Sequence, residues 1–173
     1  MSDQSDQLGG QPLEGASKNA AFRPRTSARL AVVQALYQIE ITDISLEDVI
    51  AQFAASRLRQ ADAEHNFGPA DEVLFQRILT GVRENEDEIN AMLASILSKE
   101  WSLGRLESIL RAIMRAASHE LMAMPDVPRK TVINEYVDVT HAFFADKEPG
   151  FVNTVLDQVA SKVRPDEIRH GTG

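Results

Sequence analysis

The sequence predicts an all-α protein of about seven helices. Apolar residues recur at helical spacing along most of the chain, and no segment alternates apolar and polar residues as a half-buried strand does. Aromatic residues make up only 6% of a composition that is rich in Ala and Leu. A length of 173 residues suits one compact domain with a tail.

The N-terminal residues 1–22 are expected to form a flexible tail, because they are rich in Gly, Ser, Gln and Asp and lack an apolar period. The pattern changes after Pro24. Thr26 and Ser27 are candidate N-caps for a first helix, ARLAVVQALYQIEI, which contains neither Gly nor Pro. Its apolar residues cover most of the circumference, so this helix is expected to be buried at the centre of the fold.

The middle of the chain predicts three further helices. Ser45 can cap the first of them, which is expected to run to about Arg59 before HNFGP at 65–69 breaks the pattern. An apolar stripe over residues 73–82 predicts the second, with a bend expected at Gly81. A similar stripe over residues 89–97 predicts the third.

The C-terminal part predicts three helices that are separated by prolines. Apolar residues recur at helical spacing over 106–121, MPDVP stops this helix, and Pro128 suits the first turn of the next. Pro149 opens the last helix. We therefore expect the folded domain to cover residues 23–165 and to be followed by a short tail at 166–173.

The composition excludes several classes of protein. Without any Cys, the chain has no disulfide framework, no thiolate zinc site and no cysteine nucleophile. A formal charge of −8 disfavours a protein that coats nucleic acid non-specifically. No run approaches the roughly 20 apolar residues that span a bilayer, and the N-terminus lacks the apolar stretch of a secretory signal. We expect a cytoplasmic protein with no membrane partner.

No motif of catalysis is complete. His119-Glu120 resembles the start of a metalloprotease helix, but position 123, where a second His is required, holds Ala123. Neither a Gly-rich phosphate loop nor a Gly-x-Ser-x-Gly elbow occurs. The acidic run Glu84 to Glu88 could bind a cation or serve acid–base chemistry, but a helix start, where carboxylates suit the helix dipole, is the favoured interpretation. We predict no enzyme activity, no metal and no cofactor.

A basic strip precedes the first helix. Arg23, Arg25 and Arg29 follow Lys18, and no Asp or Glu occurs from residue 18 to residue 29. Such a strip can neutralise phosphates, and arginine suits this role because its planar guanidinium engages phosphate oxygens in pairs and stacks on bases. A tail that charge merely keeps soluble is the alternative, and composition alone leaves both open.

Further cations and aromatics lie near the C-terminus. Arg129 and Lys130 fall in the first turn of a predicted helix, where cations oppose the helix dipole, which suggests a binding role. The loop FFADKEPGF places Lys147 between Phe144 and Phe151, and aromatics beside cations are what single-stranded RNA stacks on. Core packing is the favoured alternative for Phe144, whereas both interpretations of Phe151 stay open.

Three ordered motifs resemble the NusB family of bacterial transcription antitermination factors. They are SARLAVVQALYQIE at 27–40, LGRLESILRAIMRAASHELMAMPDVPRKTVINEYVDV at 103–139 and FVNTVLDQVASKVRP at 151–165. The resemblance implies two small packed helical bundles without enzyme activity. It further implies binding of boxA-type nascent RNA together with the ribosomal protein NusE, which promotes read-through of ribosomal RNA operons. Other Nus factors and RNA polymerase would be indirect partners, and a homodimer is an open alternative to a monomer.

The resemblance also assigns residues. Arg23, Arg25 and Arg29 match the arginine-rich start, Lys130 matches the basic position after DVP, and Phe151 opens the FVN motif. We add Lys147 to these RNA-binding candidates from its own loop.

Two residues match the expected NusE face, Tyr37 and Glu107. The alternative for Tyr37 is core packing with only its hydroxyl exposed, and the alternative for Glu107 is an intrahelical pair with Arg111. Pro24 and Phe144 depart from the family pattern, as does Tyr136, which replaces a usual Ala.

Two other functions compete with this one. NusB-like domains also precede ribosomal RNA cytosine methyltransferases, but those enzymes need a nucleophilic cysteine and an α/β cofactor domain, and this chain shows neither. A purely structural helical protein with a solubilising tail is the other alternative. Binding of boxA RNA and NusE distinguishes the three.

Overall fold

The computed structural model describes residues 23–59 and 68–169, and within them the chain forms eight α-helices and no strand. A π-helical turn at Phe53–Arg57 extends the second helix, and a 3-10 turn at Leu103–Arg105 precedes the fifth. The helices are α1 Pro24–Thr42, α2 Leu46–Gln52, α3 Glu72–Glu84, α4 Glu86–Ala94, α5 Ser108–Ala123, α6 Arg129–His141, α7 Glu148–Val163 and α8 Pro165–Arg169.

The helices pack in two groups. In the first, α1 packs against α2 and α3, and in the second α5, α6 and α7 pack against one another, with α4 beside α5. Helix α5 joins the groups, because it contacts α1 and α3 as well as α4, α6 and α7. The all-α prediction is confirmed. No helix among the described residues is long and apolar enough to cross a membrane.

Helix α1 is central, as its apolar circumference predicts. Eleven of its residues are buried, including Leu30, Val32 and Val33. The predicted caps are wrong, however: α1 begins at Pro24 in the first turn, and Arg23 occupies the N-cap position without a side-chain hydrogen bond. Pro24 therefore starts the helix and does not interrupt a basic segment.

The cap at Ser45 is confirmed, since its hydroxyl accepts the backbone N–H of Asp48 at 3.1 Å. The bend expected at Gly81 is wrong. Helix α3 continues through Gly81, and the chain turns at Asn85, whose side chain bonds the Gly81 carbonyl at 2.8 Å. Gly81 is required by packing instead, because a Cβ there would overlap the imidazole of His119 on α5.

The folded part extends beyond residue 165. Helix α8 lies where a tail was expected, and its Glu167 accepts the backbone N–H of Arg129 at 2.7 Å. Arg164, just before α8, is buried and donates to carbonyl oxygens at the C-terminus of α5 and in the following turn. These acceptors are Glu120, Leu121, Met124 and Val127, at 2.6 to 3.0 Å. The predicted tail at 1–22 lies outside the described residues.

Candidate nucleic-acid interface

Two arginines of the basic strip are available to a ligand. Arg23 and Arg25 are exposed at the start of α1, and neither forms an ion pair within 4.0 Å with a carboxylate of residues 23–59 or 68–169. The charge of Arg25 does reach Asp126. A hydrogen bond with Arg77 is the main cause that lowers the pKa of Asp126, and the charge of Arg25 adds to this effect.

A cavity of about 410 Å³ lies beside Arg23 and Arg25 and is also lined by Thr131 and Glu135 of α6. The first turn of α1 and the N-terminal half of α6 thus share one surface. Lys130 is exposed in the first turn of α6 but does not line this cavity.

Arg29, the third arginine of the strip, is a correction to the prediction. Its side chain is 2% exposed, and its Nε and Nη2 each donate to the Glu120 carboxylate at 2.9 Å. Nη1 lies 3.4 Å from Oε2 of Glu135, which also accepts the hydroxyl of Thr26 at 2.6 Å. The guanidinium is held by the carboxylates of Glu120 and Glu135, so Arg29 joins α1 to α5 and is not exposed to a ligand.

The surroundings of this pair are buried and polar. Burial lowers the pKa of Arg29, but the hydrogen bonds and charge of Glu120 outweigh burial and raise its pKa above the ordinary range. Tyr136 of α6 is fully buried, and its hydroxyl has no hydrogen bond of regular geometry with the described residues. Burial, reinforced by the charge of Glu120, raises the pKa of Tyr136 well above its usual value. The Tyr136 side chain thus lies near the Arg29–Glu120 ion pair, at a position where the family resemblance implies the smaller Ala.

The cations at the start of α6 are offset by a carboxylate from α8. Glu167 caps the N–H of Arg129, as its position at a helix N-terminus favours, and Arg164 lies 3.2 Å from its other oxygen. The carboxylate of Glu167 therefore offsets the unfavourable interaction of Arg129 and Lys130 with the dipole of α6. Lys130 stays a candidate for RNA because its side chain is exposed.

A second candidate surface is an apolar groove between the α4–α5 connection and the start of α7. Phe151 and Trp101 have ring centroids 6.0 Å apart, and Nζ of Lys147 lies 5.9 Å from the Trp101 centroid. The groove encloses about 330 Å³. Its lining is Trp101, Arg105, Leu106, Glu107, Leu110, Phe144, Lys147, Glu148 and Phe151. This groove therefore brings together residues that were predicted for two different ligands. Lys147 and Phe151 were predicted to bind RNA, and Glu107 to contact NusE.

Sequence reasoning missed Trp101 as a site residue. It is the only Trp of the chain and is 52% exposed. A large aromatic flanked by Lys99, Glu100 and the polar turn that follows is the sequence signal that could have found it. Such a residue lies outside any apolar stripe, so it is not explained by core packing.

Glu107 does not form the intrahelical pair with Arg111 that was the alternative to a partner contact. It occupies the N-cap position of α5, exposed, and its carbonyl accepts the N–H of Arg111. The Arg111 guanidinium instead binds Glu40 of α1, which also lies 3.5 Å from Arg115. The Arg111 hydrogen bond holds the pKa of Glu40 below its usual value. The carboxylate of Glu107 is therefore free of the intrahelical pair.

Tyr37 lies on a separate surface. It is 40% exposed, beside Ile41 at 58%, and both line a shallow groove between α1 and the π-helical turn. The alternative that only the hydroxyl of Tyr37 reaches solvent is therefore wrong. An exposed Tyr next to an exposed Ile is typical of a protein–protein contact.

The chain carries the architecture of a known family. A model of the NusB family matches residues 26–161, from the first turn of α1 almost to the end of α7. The chain belongs to the NusB family. Arg23 and Arg25 precede the matched residues, whereas Tyr37, Glu107, Lys130, Lys147 and Phe151 lie within them.

Curated relatives of this NusB-family chain are transcription antitermination proteins. The NusB of Rhodopseudomonas palustris is 37% identical over 171 residues, covering 99% of this chain and 100% of the relative. The NusB of Bartonella tribocorum is 46% identical over 140 residues, covering 81% and 90% of the two chains. Because these relatives match over nearly their whole length, antitermination is confirmed over the methyltransferase alternative. The prediction that the chain is not an enzyme agrees with this family.

Solved structures show the same NusB fold. T. maritima NusB superposes with a TM-score of 0.69 at 28% identity, over 85% of this chain and 98% of that one. The crystal structure of the antitermination factors NusB and NusE in complex with dsRNA matches with a TM-score of 0.66 at 18% identity, over 79% and 96%. At that identity the second match shows the fold alone.

Proposed function

We propose that this NusB-family protein acts in the cytoplasm by binding boxA-type RNA together with NusE, which promotes read-through of ribosomal RNA operons. The observation that carries the RNA-binding part is the exposure of Arg23 and Arg25 at the start of α1, where neither forms an ion pair within 4.0 Å with a described carboxylate, near the first turn of α6, which bears Lys130. Cations held on one surface without internal partners can each replace a counterion of the phosphate backbone.

The RNA-binding residues of the proposal are Arg23, Arg25, Lys130, Lys147 and Phe151. Arg29 is excluded because its guanidinium is buried against Glu120. The solved complex of the antitermination factors NusB and NusE with dsRNA contains the two kinds of partner that the proposal names, an RNA and NusE.

NusE is proposed to dock on the surfaces that hold Tyr37 and Glu107. Tyr37 offers a large exposed ring, and Ile41 beside it enlarges the apolar contact. The formal charge of −8 favours the approach of a basic ribosomal protein.

The experiment is a titration of labelled boxA RNA, followed by fluorescence anisotropy at several salt concentrations, with and without NusE. Replacing Arg23 and Arg25 by Ala should weaken binding and reduce the salt slope by about 0.7 for each lost phosphate contact. Lys162→Ala is the matched control, because Lys162 is an exposed cation at the far end of α7. An unchanged affinity and salt slope in the double variant would refute the RNA-binding role proposed for Arg23 and Arg25.

The NusE part is tested separately by co-purification. Tyr37→Ala should lower NusE affinity at least about tenfold, as expected for a central interface Tyr. Val73→Ala, on an exposed apolar residue of α3, is the control for non-specific loss of apolar surface. Equal retention of NusE by the wild type and Tyr37→Ala would remove Tyr37 from the interface.

A further inference from the structure

An exposed ion pair lies near the arginines of the basic strip. Arg77 of α3 donates from Nη2 to Oδ1 of Asp126 at 3.3 Å, and the two side chains are 51% and 60% exposed. Asp126 belongs to the turn between α5 and α6. Such a pair contributes little to stability, because both partners stay in water. Its guanidinium is therefore accessible to a ligand.

Backbone contacts place Arg77 on the same side of the molecule as Arg25. The N–H of Asp71, the N-cap residue of α3, donates to the carbonyl of Pro24 in the first turn of α1 at 2.9 Å. The two helices therefore begin side by side. Arg77 follows in the second turn of α3, about 9 Å along the helix axis from that contact.

Asp126 interacts with cations from both helices. Its hydrogen bond with Arg77 lowers its pKa, and the charge of Arg25 adds to the same shift. Asp126 is therefore a charged carboxylate at neutral pH, within electrostatic reach of a cation on α1 and bonded to a cation on α3. An Arg that binds a carboxylate oxygen in this way can bind a phosphate oxygen in the same way.

Another exposed ion pair of α3 has different surroundings. Arg83 lies 2.7 Å from Glu86, with 40% and 31% of the two side chains exposed. Arg83 and Glu86 line a cavity together with two further carboxylates, those of Glu40 and Asp43. Arg77 and Arg83 thus share a helix, a charge and a half-exposed ion pair, but only Arg77 lies near the basic strip.

We propose that Arg77 binds RNA on the same surface as Arg23 and Arg25, and that Asp126 limits RNA affinity there by repelling the phosphates. A guanidinium has five N–H donors, and the hydrogen bond to Asp126 leaves others for a phosphate oxygen. On this path the RNA backbone crosses from α1 to α3 beside the turn that holds Asp126. The inference rests on the proposed RNA-binding function and adds a residue outside the basic strip and outside all three family motifs.

The test is a titration of the full chain with labelled boxA RNA, followed by fluorescence anisotropy at about 50 mM and about 200 mM salt. Arg77→Ala should weaken binding about eightfold at the lower and about threefold at the higher concentration, as expected when one contact releases about 0.7 counterions. Arg77→Lys keeps the charge and should keep the salt slope.

Asp126→Asn should act in the opposite direction. It should strengthen binding about twofold at the lower salt concentration and less at the higher one, because it removes a negative charge near the phosphates and salt screens that charge. Arg83→Ala and Glu86→Gln make the same charge changes in the matched ion pair and should leave affinity and salt slope unchanged. Circular dichroism confirms that each variant is folded.

Four results would overturn the inference. If Arg77→Ala binds normally while the Arg23 and Arg25 double variant loses affinity, Arg77 lies off the RNA path and the proposed function stands. Equal weakening by Arg77→Ala and Arg83→Ala would show an effect of net charge alone. Weaker or unchanged binding of Asp126→Asn would refute the repulsive role of that carboxylate. If the wild type binds no RNA at either salt concentration, the proposed function fails together with the inference.

Discussion

Gly81 of α3 lies directly against the imidazole of His119 on α5, so closely that no Cβ fits between them. Both residues are buried, and the contact lies where the two helices pack. The absence of a side chain at position 81 therefore sets the distance between α3 and α5.

Gly81→Ala should destabilise the protein despite the better helix propensity of Ala. Ala gains up to about 1 kcal/mol in a helix interior, but overpacking a buried contact costs about 1–3 kcal/mol. We expect a net loss of about 1 kcal/mol in the free energy of unfolding, measured by urea denaturation. Gly104→Ala, where a Cβ meets nothing within 4 Å, is the control. A more stable Gly81→Ala variant would contradict the close packing.

Arg29 should contribute to the free energy of unfolding, whereas Arg25 should contribute to RNA affinity. Arg29→Met leaves Glu120 buried without its partner, which costs about 3–5 kcal/mol in the free energy of unfolding. Arg25→Met, on an exposed side chain, should stay within about 0.5 kcal/mol of the wild type. Urea denaturation of both variants, followed by RNA titration of the folded proteins, checks this division. Loss of RNA affinity in a fully folded Arg29→Met protein would contradict it.

Arg164 should be among the most sensitive positions of the chain. Its guanidinium serves four carbonyl oxygens at the end of α5 and the turn after it, which otherwise lack side-chain donors. Arg164→Ala should cost at least about 3 kcal/mol, because several buried acceptors lose a charged donor.

Arg164→Lys should recover only part of this loss, since an ammonium cannot reproduce the planar fork. Lys162→Ala on the exposed face of α7 is the control, and thermal denaturation measures all three. Similar melting temperatures for Arg164→Ala and Lys162→Ala would refute the capping role.

His119 should make stability depend on pH. Burial lowers its pKa, with a further contribution from Arg77, while Glu120 and Glu84 oppose the shift. The unfolded chain, with a His pKa of about 6.5, therefore takes up the proton first as the pH falls. The stability contributed by neutral His119 is complete above that pH and decreases below it, towards the lower folded pKa.

The comparison is between His119→Gln and His141→Gln, which alters an exposed His of α6. The slope of unfolding free energy against pH below about pH 6.5 should decrease in the first variant, by up to about 1.4 kcal/mol per pH unit, and remain in the second. Identical slopes in all three proteins would show that His119 titrates normally.

Local pattern predicted the helices and their order because those depend on spacing within one segment. The burial of α1 followed from apolar residues all round its circumference, and the cap at Ser45 followed from its place before an apolar run. The start of α1 was missed because Pro24 and the caps Thr26 and Ser27 compete for the same turn. Tertiary packing decided between them, since Thr26 and Ser27 are both buried.

The site was less predictable because its contacts are distant in sequence. Arg29 appears identical to Arg23 and Arg25 in a basic strip, and its partner Glu120 lies 91 positions away. Gly81 likewise packs against His119 of another helix. Because that contact cannot be read from the local sequence, Gly81 was predicted to mark a bend. Trp101, Glu107 and Phe151 come from separate segments, and only the packing of α7 on α5 brings them to one groove.

Because α5 packs against helices of both groups, the chain cannot be divided into two independently folded halves. Cutting the polypeptide in the connection before Ser108 would leave the first four helices with an open apolar flank where α5 normally packs. Such a fragment should aggregate when produced by itself. Produced together with the remaining piece, it should regain solubility by reassembly, as expected for a protein whose two bundles share one helix.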